Sequence, residues 1–426
     1  MNGQGVTGGQ SGSRVLIQAA SAVDYRGEIA PAAILLDGHQ IVEVAAPESI
    51  GLVEDAISID ARTEVVMPGL INAHSHLDLS GPGPLPYEGD FEKWLEAVIQ
   101  LRISSSDEDV SRAVSRGVEL SLAGGTFGIG DIAGMPHRPP HEVLSTSQLV
   151  GVSYAEFFGL GDDQPQTIDH MQSTLKELPG ETFGVRLGLS PHAPYTCGAR
   201  VIENATSSSA PVAIHVSESR AELDFLASGS GPFRRFADML RTWNDGVEIP
   251  GLHPIDFTLG CLGDRVGSSA CDVLFVHLNH VEDRHLAPLL NSGVTPVYCP
   301  RASAYFGHPD VGDHPYLKML EHGLSVALGT DSLICLDTPD RIGVLDEMRF
   351  LHRRDGTSPR HLIRMATING ALGLGLESGL VDLNPGEVGG ILAVSTAGHS
   401  SDFHGVLSSN EAPRWILEPA TDAGSA

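Results

Sequence analysis

The chain has 426 residues, 41% hydrophobic and 19% charged, enough for a large packed core, which excludes a wholly disordered protein. Against 54 Asp and Glu stand 26 Lys and Arg, a formal charge of −28 at pH 7 that repels phosphate backbones and anionic lipid, so neither nucleic acid nor a membrane is an expected partner. The five cysteines, Cys197, Cys261, Cys271, Cys299 and Cys335, include no CxxC pair, and the first residues lack a basic and then apolar leader, which together predict a cytoplasmic protein without a disulfide framework.

Residues 1–13, rich in Gly, Ser and Gln, form an expected disordered start. Val- and Ile-rich runs follow, RVLIQAASAV, AAILLDGHQIVEVA and DAISIDARTEVV, separated by DG and other turn residues, with a similar run, GEVGGILAVS, near the far end. They predict a small antiparallel β domain, a β-sandwich built from both chain ends, over 14–66 and 385–426. From 67 to 384 the pattern changes to short apolar strands alternating with longer helical stretches. The strands are VMPGLINAHSH, GTFGIGDIA, LVGVSYAEFF, GVRLGLSPHA, PVAIHVSES, DVLFVHLNH, VTPVYCP and LSVALGTDS; DFEKWLEAVIQLRISS, EDVSRAVSRGVELSLAGG, TIDHMQSTLKEL and RHLAPLLNSG are among the helices. Strand then helix, eight times over, predicts an α/β fold of the (β/α)8 TIM barrel type. The fifth unit is long, and an insertion near 229–270 is expected over the barrel mouth.

His74 and His76 stand two residues apart, so an extended INAHSH directs both to one side of the first barrel strand. Alone, HxH is a weak signal in a chain with 19 histidines. Other strand ends strengthen it: AIHVSES carries His215 and Glu218, LFVHLNH carries His277, ALGTDS carries Asp331 and SPHAPYTC carries His192. Each polar group interrupts an apolar strand at its C-terminal end, where a barrel places its chemistry, and together they predict a metal site.

In this order PGLINAHSHLDLS, SPHAPYTC, IHVSES, VHLNHV, CPRASAYFG and GTDS resemble the amidohydrolase superfamily, in its mononuclear cytosine-deaminase-like and chlorohydrolase-like branch, from about residue 30 to about residue 395. The resemblance implies one divalent ion, Zn2+ ahead of Fe2+ or Mn2+, on His74, His76, His215 and Asp331. It assigns Glu218, His277 and Asp331 as catalytic residues that handle protons and the attacking hydroxide, and His192 as a substrate-binding residue. The implied activity is hydrolytic deamination of an amino-substituted purine- or pyrimidine-like ring, with a 6-aminopurine nucleoside such as aminodeoxyfutalosine as first choice, and relatives of this branch imply a homodimer. Chloride displacement on a triazine-like ring, a binuclear cyclic amide hydrolase and a non-catalytic scaffold are the rivals. The strand-four run GVRLGLSPHAP has no lysine to bridge two metals, and the chain keeps every ligand that a scaffold would be expected to lose.

Phe91 and Trp94 have core spacing on a helix, while their place in the first barrel loop also makes them candidates for substrate binding. Ala302-Ser303 replaces the Ser-Asn usual in that loop of the family, which puts Ser303 among the candidate substrate contacts. Arg301 reads as a structural arginine and His280 as a histidine outside the site, whereas Asp78 and Ser80 either pack the first loop or help select the ring.

Overall fold

The computed structural model describes residues 14–51, 53–89, 91–263, 272–309 and 312–420, with no account of the side chains of residues 91 and 92. The expected disordered start, residues 264–270 of the expected insertion, Cys271, the last six residues and the Phe91 side chain therefore lie outside the described residues.

The chain begins with β1 (Arg14–Asp24), β2 (Gly27–Ile29), β3 (Ala32–Asp37), β4 (Gln40–Ala45) and β5 (Ile57–Pro68). Val15, Ile17 and Ala19 of β1 alternate with more exposed neighbours, the period of two that puts one face on a core. The sequence reading expects antiparallel pairing here, and the structure corrects it at one ladder: β1 and β5 run parallel, from Val15 opposite Ile57 to Ala22 opposite Val66. The cause is chain direction. The β3–β4 hairpin leaves β4 running with β1, and residues 46–56 carry the chain across to the free side of β1.

Gly69 moves the chain from this sheet into the barrel. Its N–H donates at 2.9 Å to the O of Gly390, the residue just before Ile391–Ser395, a strand of that same sheet, and the next N–H, of Leu70, donates to Gly125 O at the start of the barrel at 3.0 Å. A Cβ at Gly69 would lie 2.7 Å from Phe127 Cβ, so the switch requires glycine. The single run VMPGLINAHSH thus belongs to two sheets.

The barrel strands are β6 (Leu70–Ser75), β7 (Thr126–Ala133), β8 (Val150–Phe157), β10 (Val185–Pro191), β11 (Val212–Val216), β12 (Val273–His277), β13 (Thr295–Tyr298) and β14 (Ala327–Leu328), while the two-residue β9 (Glu181–Thr182) pairs only with β10. Neighbours pair in parallel in the order β14-β13-β12-β11-β10-β8-β7-β6. The ring closes just beyond β14, where Thr330 N donates to His74 O at 2.9 Å, Asp331 bridges to Ser75, and the Asn72 amide donates to Thr330 Oγ1 at 2.8 Å. Strands β7 and β8 are buried throughout, as in a parallel sheet with helices on its outer face, and this is a (β/α)8 barrel beside a second sheet. The helix Asp107–Ala123 starts in a capping box between Ser106 and Asp109, with three acidic residues in its first turn at the positive end of the helix dipole.

The second sheet is completed by β15 (Gly386–Glu387), β16 (Ile391–Ser395) and β17 (Arg414–Leu417). The sequence pattern marks only one C-terminal strand; β17, four residues long, is too short to show a period. The long segment after β11 includes helices Pro232–Leu240 and Pro254–Gly260, and Phe233 stacks on Tyr195 at a ring-centroid distance of 3.8 Å. That contact seats the segment on the loop that follows β10.

Candidate active site

The C-terminal ends of the barrel strands converge on a histidine cage. His74 lies 5.0 Å from both His76 and His215 and 5.7 Å from His277, measured between ring centroids. One nitrogen from each of His74, His76 and His215 lies within 4.8 Å of the others. Asp331, held with a left-handed φ of 60°, brings Oδ1 to 3.7 Å from His76 Nε2 and accepts from Ser332 N at 2.7 Å through that oxygen. A non-glycine residue in that conformation is strained, and the site holds others: Ser217, His277 and Leu278 also have positive φ.

These side chains fit a metal. Both ring nitrogens of His74 are buried without a hydrogen-bond partner, a costly arrangement unless a lone pair is taken up by an ion. His215 donates from Nδ1 to His192 O at 2.8 Å, which leaves the Nε2 lone pair directed inward. Burial first, and then neighbouring imidazoles, hold His74, His76 and His277 well below the usual histidine range, and burial likewise lowers His215. All are therefore neutral ligand-type imidazoles at pH 7. Burial raises Asp331 to about 6, opposed by the Ser332 N–H. Three neutral imidazoles and a carboxylate suit zinc and leave room for a further ligand.

Glu218 Oε1 lies 3.6 Å from His277 Nε2. Its backbone is clamped from two sides: Glu218 N donates to Glu222 Oε2 at 2.8 Å, and Asn279 Nδ2 donates to Glu218 O at 2.9 Å. Burial, reinforced by Asp331 and Glu222, pushes the Glu218 carboxyl well above the ordinary carboxylate range, so it can hold a proton near neutral pH. Ser303 Oγ donates to Asn279 Oδ1 at 2.9 Å, so Ser303 reaches the site through Asn279.

His192 lies 4.9 Å from His215 between ring centroids, at the edge of the cage. Trp94 packs edge-on against Phe306 at 4.7 Å and joins Leu79, Val98 and Ile334 in an apolar cluster under the first loop. Arg301 is structural as expected, with Nε on Glu347 at 2.6 Å and Nη1 on Asp337 at 2.9 Å, tying the seventh strand's loop to the eighth's. His280 joins the support for Glu218 through its backbone, whose O accepts from Ser217 Oγ at 2.7 Å. Ser80 packs the first loop against Gly117, where a Cβ would approach its Oγ to 2.8 Å.

Three residues, Glu156 and Asp131 buried and Arg102 partly so, were not singled out from the sequence. Glu156 ends β8, and its Oε2 accepts from Arg102 Nη1 at 2.7 Å. Arg102 descends from the helix Phe91–Ser104 and also donates from Nε to Asp78 Oδ2 at 2.9 Å, so Asp78 anchors this arginine. Asp131 on β7 accepts from Leu77 N at 2.9 Å, which fixes the turn just after His76, and burial raises its carboxyl to about 8. Glu156 and Asp131 interrupt apolar strands as His215 and His277 do, and that signal could have found them. Arg102 carries no such mark.

Known proteins resemble the chain in sequence and in fold. The profile of the amidohydrolase family matches residues 65–410. Aminodeoxyfutalosine deaminase of Deinococcus radiodurans is 26% identical over 363 residues, covering 81% of each chain. A 5-methylthioadenosine/S-adenosylhomocysteine deaminase of Syntrophomonas wolfei is 27% identical over 347 residues, 77% of this chain and 72% of that protein. In fold, the chain resembles Helicobacter pylori aminofutalosine deaminase bound to methylthio-coformycin, with a TM-score of 0.77 and 20% identity over 95% of this chain and 98% of that one. It also resembles a zinc complex of atrazine chlorohydrolase from Arthrobacter aurescens, with a TM-score of 0.72 and 19% identity over 93% and 92% of the two chains.

Proposed function

The chain belongs to the amidohydrolase family, and from that premise we propose that it is a metal-dependent deaminase of a 6-aminopurine nucleoside or closely related amino heterocycle. It is a hydrolase of carbon–nitrogen bonds other than peptide bonds. The observation that carries the reading is the meeting of His74, His76, His215 and Asp331 with the Glu218–His277 pair at one barrel mouth. The curated relatives quoted above, named for aminodeoxyfutalosine and adenosine derivatives, favour an adenosine-like substrate, with aminodeoxyfutalosine as first choice.

His74, His76, His215 and Asp331 would hold the ion, zinc by the donor set. When bound, a divalent ion lowers the pKa of water toward neutrality and makes a nucleophile available at pH 7. Glu218 takes the proton of the attacking water and passes it to a ring nitrogen, which makes the adjacent carbon electrophilic. His277, 3.6 Å from Glu218, orients the attacking oxygen. Asp331 takes the proton of the newly added hydroxyl and delivers it to the amino nitrogen. A C–O bond forms, the C–N bond breaks, and water plus amine become the oxo product and ammonia.

An ammonia-release screen of the zinc-loaded protein should detect turnover with at least one of adenosine, 5′-deoxyadenosine, 5-methylthioadenosine and aminodeoxyfutalosine. Cytosine, guanine and amino-triazines complete the panel. Failure to release ammonia from any of them overturns the deaminase reading.

A further inference from the structure

Glu156 is 1% exposed, and while its Oε2 is bound by Arg102, its Oε1 is buried without a hydrogen-bond partner. That oxygen faces His192 Nε2 across 4.0 Å, too far for a hydrogen bond. A carboxylate oxygen of Glu156, a nitrogen of His192 and a nitrogen of His215 lie within 4.8 Å of one another, so the pair borders the histidine cage.

The hydrogen-bond pattern makes both of them acceptors. Thr196 Oγ1 lies 3.1 Å from Ala193 O, to which it donates, and 2.8 Å from His192 Nδ1; with the hydroxyl hydrogen on Ala193 O, the ring nitrogen is the donor to Thr196, and this is the tautomer the proposal takes. Nε2 of the neutral ring then presents a lone pair. Glu156 Oε1, on a carboxylate held by an arginine, presents another. Two buried acceptors 4.0 Å apart suit a donor that carries two hydrogens on one atom. A nitrogen about 2.9 Å from each subtends an angle of about 90° between them, within reach of a planar amino group whose two N–H bonds bend only slightly.

We propose that Glu156 and His192 form a receptor for a primary amino group on the substrate's ring, each accepting one of its hydrogens, and that Glu156 selects amino-bearing rings over chloro-bearing ones. A chlorine there would set its electron-rich surface against two lone pairs. Arg102 and Asp78 are positioning residues: Arg102 fixes Glu156 Oε2, and Asp78 fixes Arg102. This deepens the deaminase reading and rests on it, since it names a group by which the substrate is chosen.

The test uses the full zinc-loaded chain and E156Q, with calorimetric binding and turnover measured side by side. Adenosine against 6-chloropurine riboside varies the substituent at the reacting carbon; 2,6-diaminopurine riboside against adenosine adds a second, non-reacting amino group. In E156Q, Arg102 turns the amide so that its NH2 faces the receptor, donor against donor. Wild type should prefer the amino member of at least one pair, and E156Q should lose that preference by about ten- to a hundredfold in Kd and kcat/KM while the partner ligand changes little. Equal losses on both members, preferences that survive in E156Q, or no preference in the wild type each overturn the proposal. Selective binding without ammonia release counts against the deaminase reading alone. Thermal melting and zinc content verify that E156Q is folded and loaded; if it is not, H192F removes the other acceptor and the same preferences are read.

Discussion

The mouth of the barrel and the sheet beside it are built on opposite principles. At the mouth, His74, His215, Glu156, Asp131 and His277 are all buried, ring nitrogens and carboxylate oxygens lack partners, and Ser217, His277, Leu278 and Asp331 hold left-handed backbone. In the second sheet the buried cluster is aliphatic, with Val15, Ile17, Ile34, Leu36, Val66, Ile391 and Ile416, and the ion pairs Arg62–Asp60 and Arg414–Glu64 sit on exposed faces. Unpaired buried polar groups cost stability, whereas a dry aliphatic layer supplies it. Chemistry and cohesion are thus divided between the two regions, and substitutions in each should be felt in different measurements.

The sharpest contrast is expected from Glu218→Gln. The amide keeps the size of the carboxyl but cannot carry the proton, so turnover should fall by about 10²- to 10⁴-fold. Zinc content and melting temperature should stay near wild type, because Glu218 is outside the proposed ligand set. Retained turnover would remove its proton-transfer role.

Acid should then act on the walls of the mouth. Burial lowers His137 to about 4 and His314 to about 3; their Nε2 atoms bond Glu156 O at 2.7 Å and His277 O at 2.9 Å. Each folded pKa lies below the unfolded value of about 6.5, so the stabilisation is fully present above pH 6.5 and is lost as pH falls toward the folded value. Each histidine should cost about 1.4 kcal/mol per pH unit over that window, read as the difference in urea midpoint between wild type and His137→Gln or His314→Gln from pH 6.5 to 4, because the raised carboxyls of Asp131, Asp331 and Glu218 shift the total the other way. A difference that does not change with pH would contradict the buried neutral state of the ring replaced.

Ile34→Ala tests the other region. Ile34 is fully buried in the aliphatic cluster, and its truncation should destabilise by about 2–5 kcal/mol in denaturant unfolding. Turnover of the folded fraction should be unchanged. A fall in kcat of well-folded protein would show that the second sheet shapes the mouth, and the division would fail.

The same division explains what could be read from the sequence. Apolar strands of four to eight residues alternating with helices betray a barrel, and a His, Glu or Asp at a strand's end betrays its mouth, so the clustering of the histidines was legible in outline. Glu156 and Asp131 obey the same rule but belong to no recognisable motif. Arg102 was illegible because its meaning lies in partners 24 and 54 residues away, Asp78 and Glu156, while locally it is one more charge on an exposed-looking helix. The parallel β1–β5 ladder was hidden for a related reason: alternation tells which face of a strand is buried and says nothing of its partner's direction. Gly69 was hidden inside an apolar run because only its closeness to Phe127 reveals the switch.

The smallest effect is expected from Arg414→Ala. Arg414 on β17 reaches past β16 to Glu64 on β5, with Nε 2.8 Å from Oε1, and the arginine side chain is 42% exposed. An ion pair in water gains little over two hydrated charges, so the loss should stay below about 1 kcal/mol and shrink further in high salt. Arg102 is also paired with carboxylates, but its partners Asp78 and Glu156 are buried, and removing the arginine would strand their charges out of water. Measured together, Arg414→Ala and Arg102→Met should therefore differ by several kcal/mol despite similar contact distances. Equal costs would mean that water screens the mouth as fully as the sheet's outer face, and the contrast between the two regions would collapse.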